Sequence, residues 1–297
     1  MIISASRRTD VPAFYSDWFM KRVEAGHCLV PNPFNPAQVT KVSLKPEDVD
    51  VIVFWTRNAS PLVPCLTDLD CKGYRYTFLY TVMDNPRPID PRCPSLREAV
   101  AVFKDLSDRI GPERVIWRYD PLVFSNATPP DFHMKTYESI AKQLQGYTSR
   151  SIMSVVRVYR KARQRLTALR EKRVDLTECE GEVFAELMRF MACAGRDNGM
   201  ALSSCAQDRD LTAYGILPGQ CIDDHLIEEV FGLEVNHMKD PSQRKACGCV
   251  ISKDIGMYDT CLYGCAYCYA TTSFDKAKEN YLKHDPGAPS LIPRSSS

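Results

Sequence analysis

The stretch Val51-Ile-Val-Phe-Trp-Thr-Arg-Asn58 carries the pattern that decides the fold. Apolar residues run without a break from Val51 to Trp55 and then give way to polar Thr56, Arg57 and Asn58. A strand that is apolar on consecutive positions is typical of a parallel sheet whose two faces are both covered. The sequence therefore predicts a buried parallel strand whose carboxyl end opens into a polar loop.

Similar apolar runs recur along the chain and alternate with helical patterns. Strands are predicted at Ile2–Ala5, Val51–Trp55, Tyr76–Thr81, Val115–Trp117, Ile152–Val156 and Ala201–Ser204. Helices are predicted from Ser16 to about Ala25, over Leu96–Ile110 behind Ser95, over roughly Asp131–Gln145, and after a Thr177–Glu180 capping box. Repeated βα units predict an α/β fold, a parallel (β/α) barrel or partial barrel of six or more strands.

Composition bounds the organisation of the chain. Its 297 residues are 44% hydrophobic and 25% charged, which is ordinary for a globular domain. The formal net charge is +1, so the protein as a whole has no electrostatic field that would attract nucleic acid or anionic lipid. No apolar run approaches the roughly 20 residues of a membrane span, so we expect a cytoplasmic, unprocessed protein. We expect a barrel body over residues 1–206, an insertion or lid over 207–246, a cysteine-rich segment over 247–283 that completes the barrel, and a tail over 284–297.

Polar side chains gather at the predicted strand exits, where parallel barrels carry their catalytic groups. These exits are Ser6-Arg7-Arg8-Thr9-Asp10, Thr56-Arg57-Asn58, Arg118-Tyr119-Asp120 and Cys205. One interpretation is that arginine and aspartate pair with each other around a rim. The other makes Arg7, Arg8, Asp10, Arg118 and Asp120 candidate catalytic residues, and Ser6 and Thr56 candidate cofactor-binding residues.

The chain has 13 cysteines, an odd number that argues against a complete disulfide framework. Three of them form Cys261-Leu-Tyr-Gly-Cys265-Ala-Tyr-Cys268. Thiolates at this spacing bind three corners of one [4Fe–4S] cluster and leave the fourth iron an open position. The alternative is a zinc site completed by Cys247 or Cys249, although zinc ribbons usually present two Cys-x-x-Cys pairs and only Cys265 and Cys268 form one here.

Four further cysteines, Cys205, Cys221, Cys247 and Cys249, are enough for an auxiliary [4Fe–4S] cluster or for one structural zinc ion. A third interpretation is that the four cysteines are unrelated thiols that bind no common metal. A basic run at residues 157–173, with eight lysines and arginines against one acid, is interpreted as a solvated helix face or as a phosphate contact. With zinc in place of iron, the chain would be a zinc-stabilised phosphate- or nucleic-acid-binding protein.

The spacing Cys261, Cys265 and Cys268, with Tyr267 before the last cysteine, resembles the signature of the radical S-adenosylmethionine superfamily. The resemblance implies that the free iron chelates the methionine moiety and that Tyr267 packs near the adenine. It also implies an external electron donor of flavodoxin or ferredoxin type, and a 5′-deoxyadenosyl radical that acts on a small-molecule or nucleic-acid-derived substrate.

The chain as a whole resembles a family of domains of unknown function whose members end in a cysteine cluster of this type. The resemblance rests on Ser6–Tyr15, Asn32–Asn35, Val53–Asn58, Trp117–Pro121 and Cys261–Ala270. In the superfamily the cysteine loop usually follows the first strand, whereas here it lies near the C-terminus. A circular permutation explains this position, because a helix over about Thr272–Leu282 leads back to Ile2–Ala5 as the next barrel strand. Ser6–Asp10 would then lie near the methionine end of the cofactor.

Overall fold

Residues 1–35 and 37–293 of the protein are described by a computed structural model. Its strands are β1 (Ile2–Ala5), β2 (His27–Pro31), β3 (Val39–Ser43), β4 (Val51–Thr56), β5 (Tyr76–Thr81), β6 (Val115–Leu122), β7 (Arg150–Val155), β8 (Ala201–Cys205), β9 (Leu217–Gly219) and β10 (Lys253–Asp254). Its α-helices are α1 (Val11–Phe14), α2 (Ser16–Glu24), α3 (Leu66–Cys71), α4 (Leu96–Ile110), α5 (Pro130–Leu144), α6 (Arg160–Ala168), α7 (Gly181–Asp197), α8 (Asp224–Phe231) and α9 (Phe274–Leu282).

Eight strands form one parallel sheet in the order β10-β1-β4-β5-β6-β7-β8-β9, and β2 and β3 form a separate antiparallel hairpin. Within residues 1–35 and 37–293, the edge strands β9 and β10 do not pair, so the sheet is an open partial barrel. The prediction of an α/β fold with a parallel barrel or partial barrel is confirmed. No helix in this part of the chain is long and apolar enough to cross a bilayer.

Side chains of the central strands alternate between two apolar layers. In β4, Ile52 and Phe54 pack in the large core under the outer helices, whereas Val51 and Val53 face the inner side of the sheet. The inner side chains pack against the segment between β9 and β10, which includes α8. Both faces of the strand are therefore covered, as the unbroken apolar run predicts.

The sheet order matches the order that a circular permutation requires. Strand β10 pairs in parallel with β1, Ile3 opposite Lys253. The cysteine loop of residues 261–268 follows β10, and α9 follows the loop. In cyclic order, β1 is therefore the strand after β10, as the sequence suggested.

Segment 207–246 is more than a loop insertion. No strand was expected there, but Leu217–Gly219 forms edge strand β9 beside β8. Helix α8 adds Leu226 and Ile227 to the inner apolar layer. The expectation of a segment without strands is wrong, because three residues are too few to show a period in the sequence.

Helix ends follow the predicted signals in one case and depart from them in another. Ser95 caps α4, as predicted, and Glu98 adds the reciprocal hydrogen bond of a capping box. The box predicted from Thr177 and Glu180 is wrong: α7 begins at Gly181, with Glu180 at the cap position and no side-chain cap hydrogen bond.

The described part of the tail packs against the body. Trp18 donates to the carbonyl of Ala288 at 3.0 Å, and Leu291 is buried. Residues 294–297 of the predicted tail lie outside the described residues.

Candidate metal centre

The cysteine loop covers the carboxyl ends of β1, β4 and β5. Tyr15 donates to the carbonyl of Thr260 at 2.7 Å, and the amide of Ala266 donates to Ile89, in the loop after β5, at 2.9 Å. Cys265 is buried, while Cys261 and Cys268 are partly exposed. The loop thus lies at the edge of the sheet where parallel barrels carry their sites.

A fourth thiol, that of Cys93, lies beside the loop. Its Sγ is 3.6 Å from the Sγ of Cys265. A carboxylate oxygen of Asp90 joins the two thiols, and the three ligand atoms lie within 4.8 Å of one another. Neither Cys93 nor Asp90 was predicted as a site residue. The available signal was their position in the loop after β5, a central strand whose carboxyl end opens at the same edge of the sheet as the predicted exits.

A buried ion pair supports the aromatic residue of the motif. Arg57 and Tyr267 are hydrogen-bonded, and Tyr267 donates to Asp90 at 3.1 Å. Arg57 also pairs with Asp90 at 3.5 Å. Burial alone would lower the pKa of Arg57, but the charge of Asp90 and of the nearby thiols raises it well above its usual value. Arg57 therefore stays charged and fixes the Tyr267 ring through its hydroxyl.

Helix α6, which carries the basic run, contacts the same loop. Arg165 donates to the carbonyls of Thr272 at 3.0 Å and Ala266 at 3.3 Å, and also to that of Cys268. Most other basic residues of the run are exposed. Arg165 of this helix thus binds the backbone of the cysteine loop, while most of its basic neighbours are exposed, an arrangement that fits both a solvated face and a phosphate contact.

The residues after β1 and β4 form a hydrogen-bonded rim. Ser6 donates to Asp254 at 2.6 Å, and Arg8 pairs with the same carboxylate at 3.5 Å. Asp10 caps α1 and accepts from the Thr56 hydroxyl at 2.8 Å and from the Arg57 amide at 2.7 Å. Burial raises the pKa of Asp10 to about 7. The carboxylate oxygens of Asp10 and the hydroxyl of Thr56 thus take part in hydrogen bonds within the rim.

The predicted pair of Arg118 and Asp120 lies beside Trp55 and Cys221. Arg118, 7% exposed, pairs with Asp120, donates to the sulfur of Cys221 at 2.7 Å and lies over the Trp55 ring at 4.9 Å. Arg7 lies over the same ring at 5.3 Å. The structure thus brings Arg7 and Arg118 together around Trp55 and beside thiols, while Arg8 and Asp10 take part in the rim.

The four remaining candidate cysteines form a second thiol group. Cys205 and Cys221 have their sulfur atoms 3.2 Å apart, and the amide of Cys221 donates to the sulfur of Cys249 at 3.3 Å. Hydrogen bonds from Cys221 and Cys247 lower the pKa of Cys249, which also lies close to Arg7. Cys247 and Cys249 thus belong with Cys205 and Cys221, not with the loop of residues 261–268.

Comparison with known proteins places the chain in a family. The model of the family described as a domain of unknown function (DUF1848) matches residues 2–270. The chain belongs to the DUF1848 family. No significant match was found among the curated proteins. A solved structure described as a "putative alpha-L-fucosidase" from Bacteroides thetaiotaomicron is 11% identical, with a TM-score of 0.30 over 80% of this chain and 82% of that chain. A likeness at that level carries no argument.

This DUF1848 chain has a cavity next to the cysteine loop. The cavity has a volume of about 640 Å³ and is lined by Phe14, Tyr80, Arg92, Cys93 and Tyr263, among others. That volume lies within the range of small-molecule and cofactor sites, roughly 300–1,000 Å³. The cavity joins an aromatic wall, a guanidinium and a thiol, and its volume would accommodate a nucleoside-sized ligand beside the candidate metal ligands.

Proposed function

We propose that this protein is a radical S-adenosylmethionine enzyme that holds a [4Fe–4S] cluster on Cys261, Cys265 and Cys268. One observation carries the proposal. The three cysteines have the Cys-x3-Cys-x2-Cys spacing and lie on the loop between β10 and α9, at the carboxyl edge of a parallel sheet. Three ligands from one loop leave one iron open, which a reactive site requires.

The surroundings of the loop fit such a group. Asp90 Oδ1 and the hydroxyls of Tyr80 and Tyr263 are buried and have no hydrogen-bond partner among the described residues. Buried polar atoms normally have partners, so these three atoms are available to a bound ligand. The ligand set is three thiols, the donors that iron–sulfur clusters take.

A cluster held by these cysteines would supply one electron, received from the protein donor, to the sulfonium of S-adenosylmethionine, and the products would be methionine and a 5′-deoxyadenosyl radical. The residues of this chain hold the site in place. Arg165 fixes the loop backbone through carbonyl groups, and Arg57 fixes Tyr267. The buried rings of Tyr80 and Tyr263 line the cavity beside the loop. The substrate, of small-molecule or nucleic-acid type, and the protein electron donor belong to the same proposal.

A second candidate function rests on Asp90, Cys93 and Cys265. Their ligand atoms lie close enough together to bind a single metal ion. A mononuclear site with two thiolates and a carboxylate fits zinc and leaves a position for water or substrate. It would make the protein a metal-dependent hydrolase or lyase without radical chemistry.

Single replacements separate the two functions. Each variant is purified anaerobically, its iron and zinc are counted, and 5′-deoxyadenosine is measured after addition of S-adenosylmethionine and dithionite. For the cluster, Cys261→Ala and Cys268→Ala abolish the product and remove about four irons, as loss of one corner requires. Cys93→Ser keeps the iron. Exposed Cys193→Ser is the matched control.

For the mononuclear site, the pattern reverses. Cys93→Ser then removes the metal, while Cys261→Ala and Cys268→Ala retain it. Undiminished 5′-deoxyadenosine formation in the Cys261→Ala or Cys268→Ala variant would refute the radical enzyme.

A further inference from the structure

The second thiol group is assembled from distant parts of the chain. Cys205 ends β8, Cys221 follows edge strand β9, and Cys247 and Cys249 precede edge strand β10. These strands stand at the two open sides of the sheet. The four thiols therefore meet where the barrel fails to close, and they join its two edges.

The group lies in a buried environment with guanidinium and amide donors beside its sulfur atoms. Cys221, Cys247 and Cys249 are buried, and Cys205 is partly exposed. Arg118 donates to the sulfur of Cys221, and the amides of Cys221 and Ile222 donate to that of Cys249 at 3.3 and 3.4 Å. Buried charge is stable only when it is paired and hydrogen-bonded. The guanidinium groups of Arg7 and Arg118 both lie over Trp55 next to this group and supply positive charge beside the sulfur atoms.

The spread of the four sulfur atoms indicates the kind of metal. The sulfur atoms of Cys205 and Cys221 are 3.2 Å apart, and Cys249 is hydrogen-bonded to Cys221 and to Cys247, so the four thiols form an extended chain of contacts. Within the described residues, no three of the four sulfur atoms lie within 4.8 Å of one another. A single tetrahedral zinc ion, with bonds of about 2.3 Å, would hold every pair of sulfurs about 3.8 Å apart. An iron–sulfur cluster distributes its thiolates over several irons and accepts a wider set.

We propose that Cys205, Cys221, Cys247 and Cys249 hold a second, fully ligated iron–sulfur cluster that bridges the two edges of the open sheet. Four thiolates complete the ligation of such a cluster, so this centre has no open position. Arg7 and Arg118 lie on the side of Trp55 and balance its negative charge. The proposal does not depend on the function proposed for Cys261, Cys265 and Cys268.

The test removes the first site before it probes the second. In a Cys261→Ala, Cys265→Ala, Cys268→Ala variant, any remaining iron belongs elsewhere. We expect that variant to keep about two to four irons per chain with matching sulfide. A further Cys249→Ser or Cys221→Ser replacement should lower this iron at least tenfold, whereas exposed Cys193→Ser should leave it unchanged.

A second measurement avoids variants that fail to fold. The anaerobically purified full-length protein is treated with iodoacetamide before and after removal of iron by a chelator, and the alkylated cysteines are mapped by mass spectrometry. We expect Cys205, Cys221, Cys247 and Cys249 to react only after iron is removed. The proposal is overturned if the triple variant contains no iron, if it contains zinc instead, or if alkylation of the four thiols is the same before and after chelation.

Discussion

The buried ion pair between Arg57 and Asp90 gives the sharpest test of how this site is held together. The two side chains are 14% and 4% exposed, and the pair distance is 3.5 Å. Replacing Arg57 by Met leaves a buried carboxylate without its counter-ion, which typically costs about 3–5 kcal/mol of unfolding free energy. Asn85 and Tyr267 still donate to Asp90, so we expect the lower end, about 3 kcal/mol.

The same chain offers a matched control. Arg109 pairs with Asp70 at 3.8 Å, with side chains 33% and 50% exposed. Water screens such a pair, and Arg109→Met should cost less than about 1 kcal/mol. The double variant Arg57→Met, Asp90→Asn no longer contains the unpaired charge. The double-mutant cycle should therefore give an interaction free energy of about 1–3 kcal/mol between Arg57 and Asp90.

The assay is urea unfolding followed by circular dichroism on reduced protein freed of metal, because bound metal adds its own binding energy to apparent stability. Iron binding by the same variants is measured in parallel. The reasoning is refuted if Arg57→Met costs no more than Arg109→Met, or if the Asp90→Asn replacement returns nothing in the cycle.

Three further predictions follow from contacts elsewhere. Arg165→Ala removes three carbonyl contacts of the cysteine loop, so hydrogen exchange of amides 261–272 should become about tenfold faster. That factor corresponds to a decrease of about 1.4 kcal/mol in the free energy of local opening. The control Arg163→Ala, at an exposed position of the same helix, should leave the exchange rate unchanged. Arg118→Lys keeps the charge but loses the forked guanidinium that joins Asp120 to Cys221, and it should lower the free energy of unfolding by about 1–3 kcal/mol in the same urea assay. A stability equal to that of the parent would show that the fork contributes nothing. Burial lowers the pKa of His133 to about 4, below its unfolded value near 6.5. The contribution of neutral His133 to the free energy of unfolding is therefore complete above pH 6.5, and about 3 kcal/mol of it should be lost as the pH falls toward 4. A His133→Asn variant whose stability has the same pH profile as the parent would contradict this.

The sequence predicts the central sheet well because its strands are buried on both faces. Ile2–Ala5 and Tyr76–Thr81 are predicted to the residue, since both are short runs dominated by β-branched and aromatic residues. Strand β6 continues past the predicted end at Trp117 to Leu122, because Arg118 and Asp120 find partners inside the opening. Polar residues that follow an apolar run therefore do not fix the end of the strand.

Other elements left no usable pattern. The edge strands β9 and β10 contain three and two residues, fewer than one period of alternation can show. The approach of Cys93 to Cys265 depends on tertiary folding across 172 positions, and a single cysteine in a proline-containing loop gives no spacing signal. The sequence named Cys205 and Cys249 as members of one set of candidate ligands, but it did not predict how they are arranged. Their proximity depends on where the sheet stays open.

Asp254 explains how one short strand connects the two thiol groups. Cys247 and Cys249 precede β10, and Cys261–Cys268 follow it. The carboxylate of Asp254, at the end of β10, accepts from the Ser6 hydroxyl at 2.6 Å, the Arg7 amide at 2.8 Å and the Gly256 amide at 3.0 Å. A Cβ on Gly256 would lie 2.1 Å from the Ser6 hydroxyl oxygen, so only glycine permits this approach. Two paired residues give β10 little stability of its own, and the carboxylate supplies the attachment to β1 that the ladder lacks. The positions of both cysteine segments relative to the sheet therefore depend on the same buried carboxylate, which lies between them in the sequence and beside Arg7 in the fold.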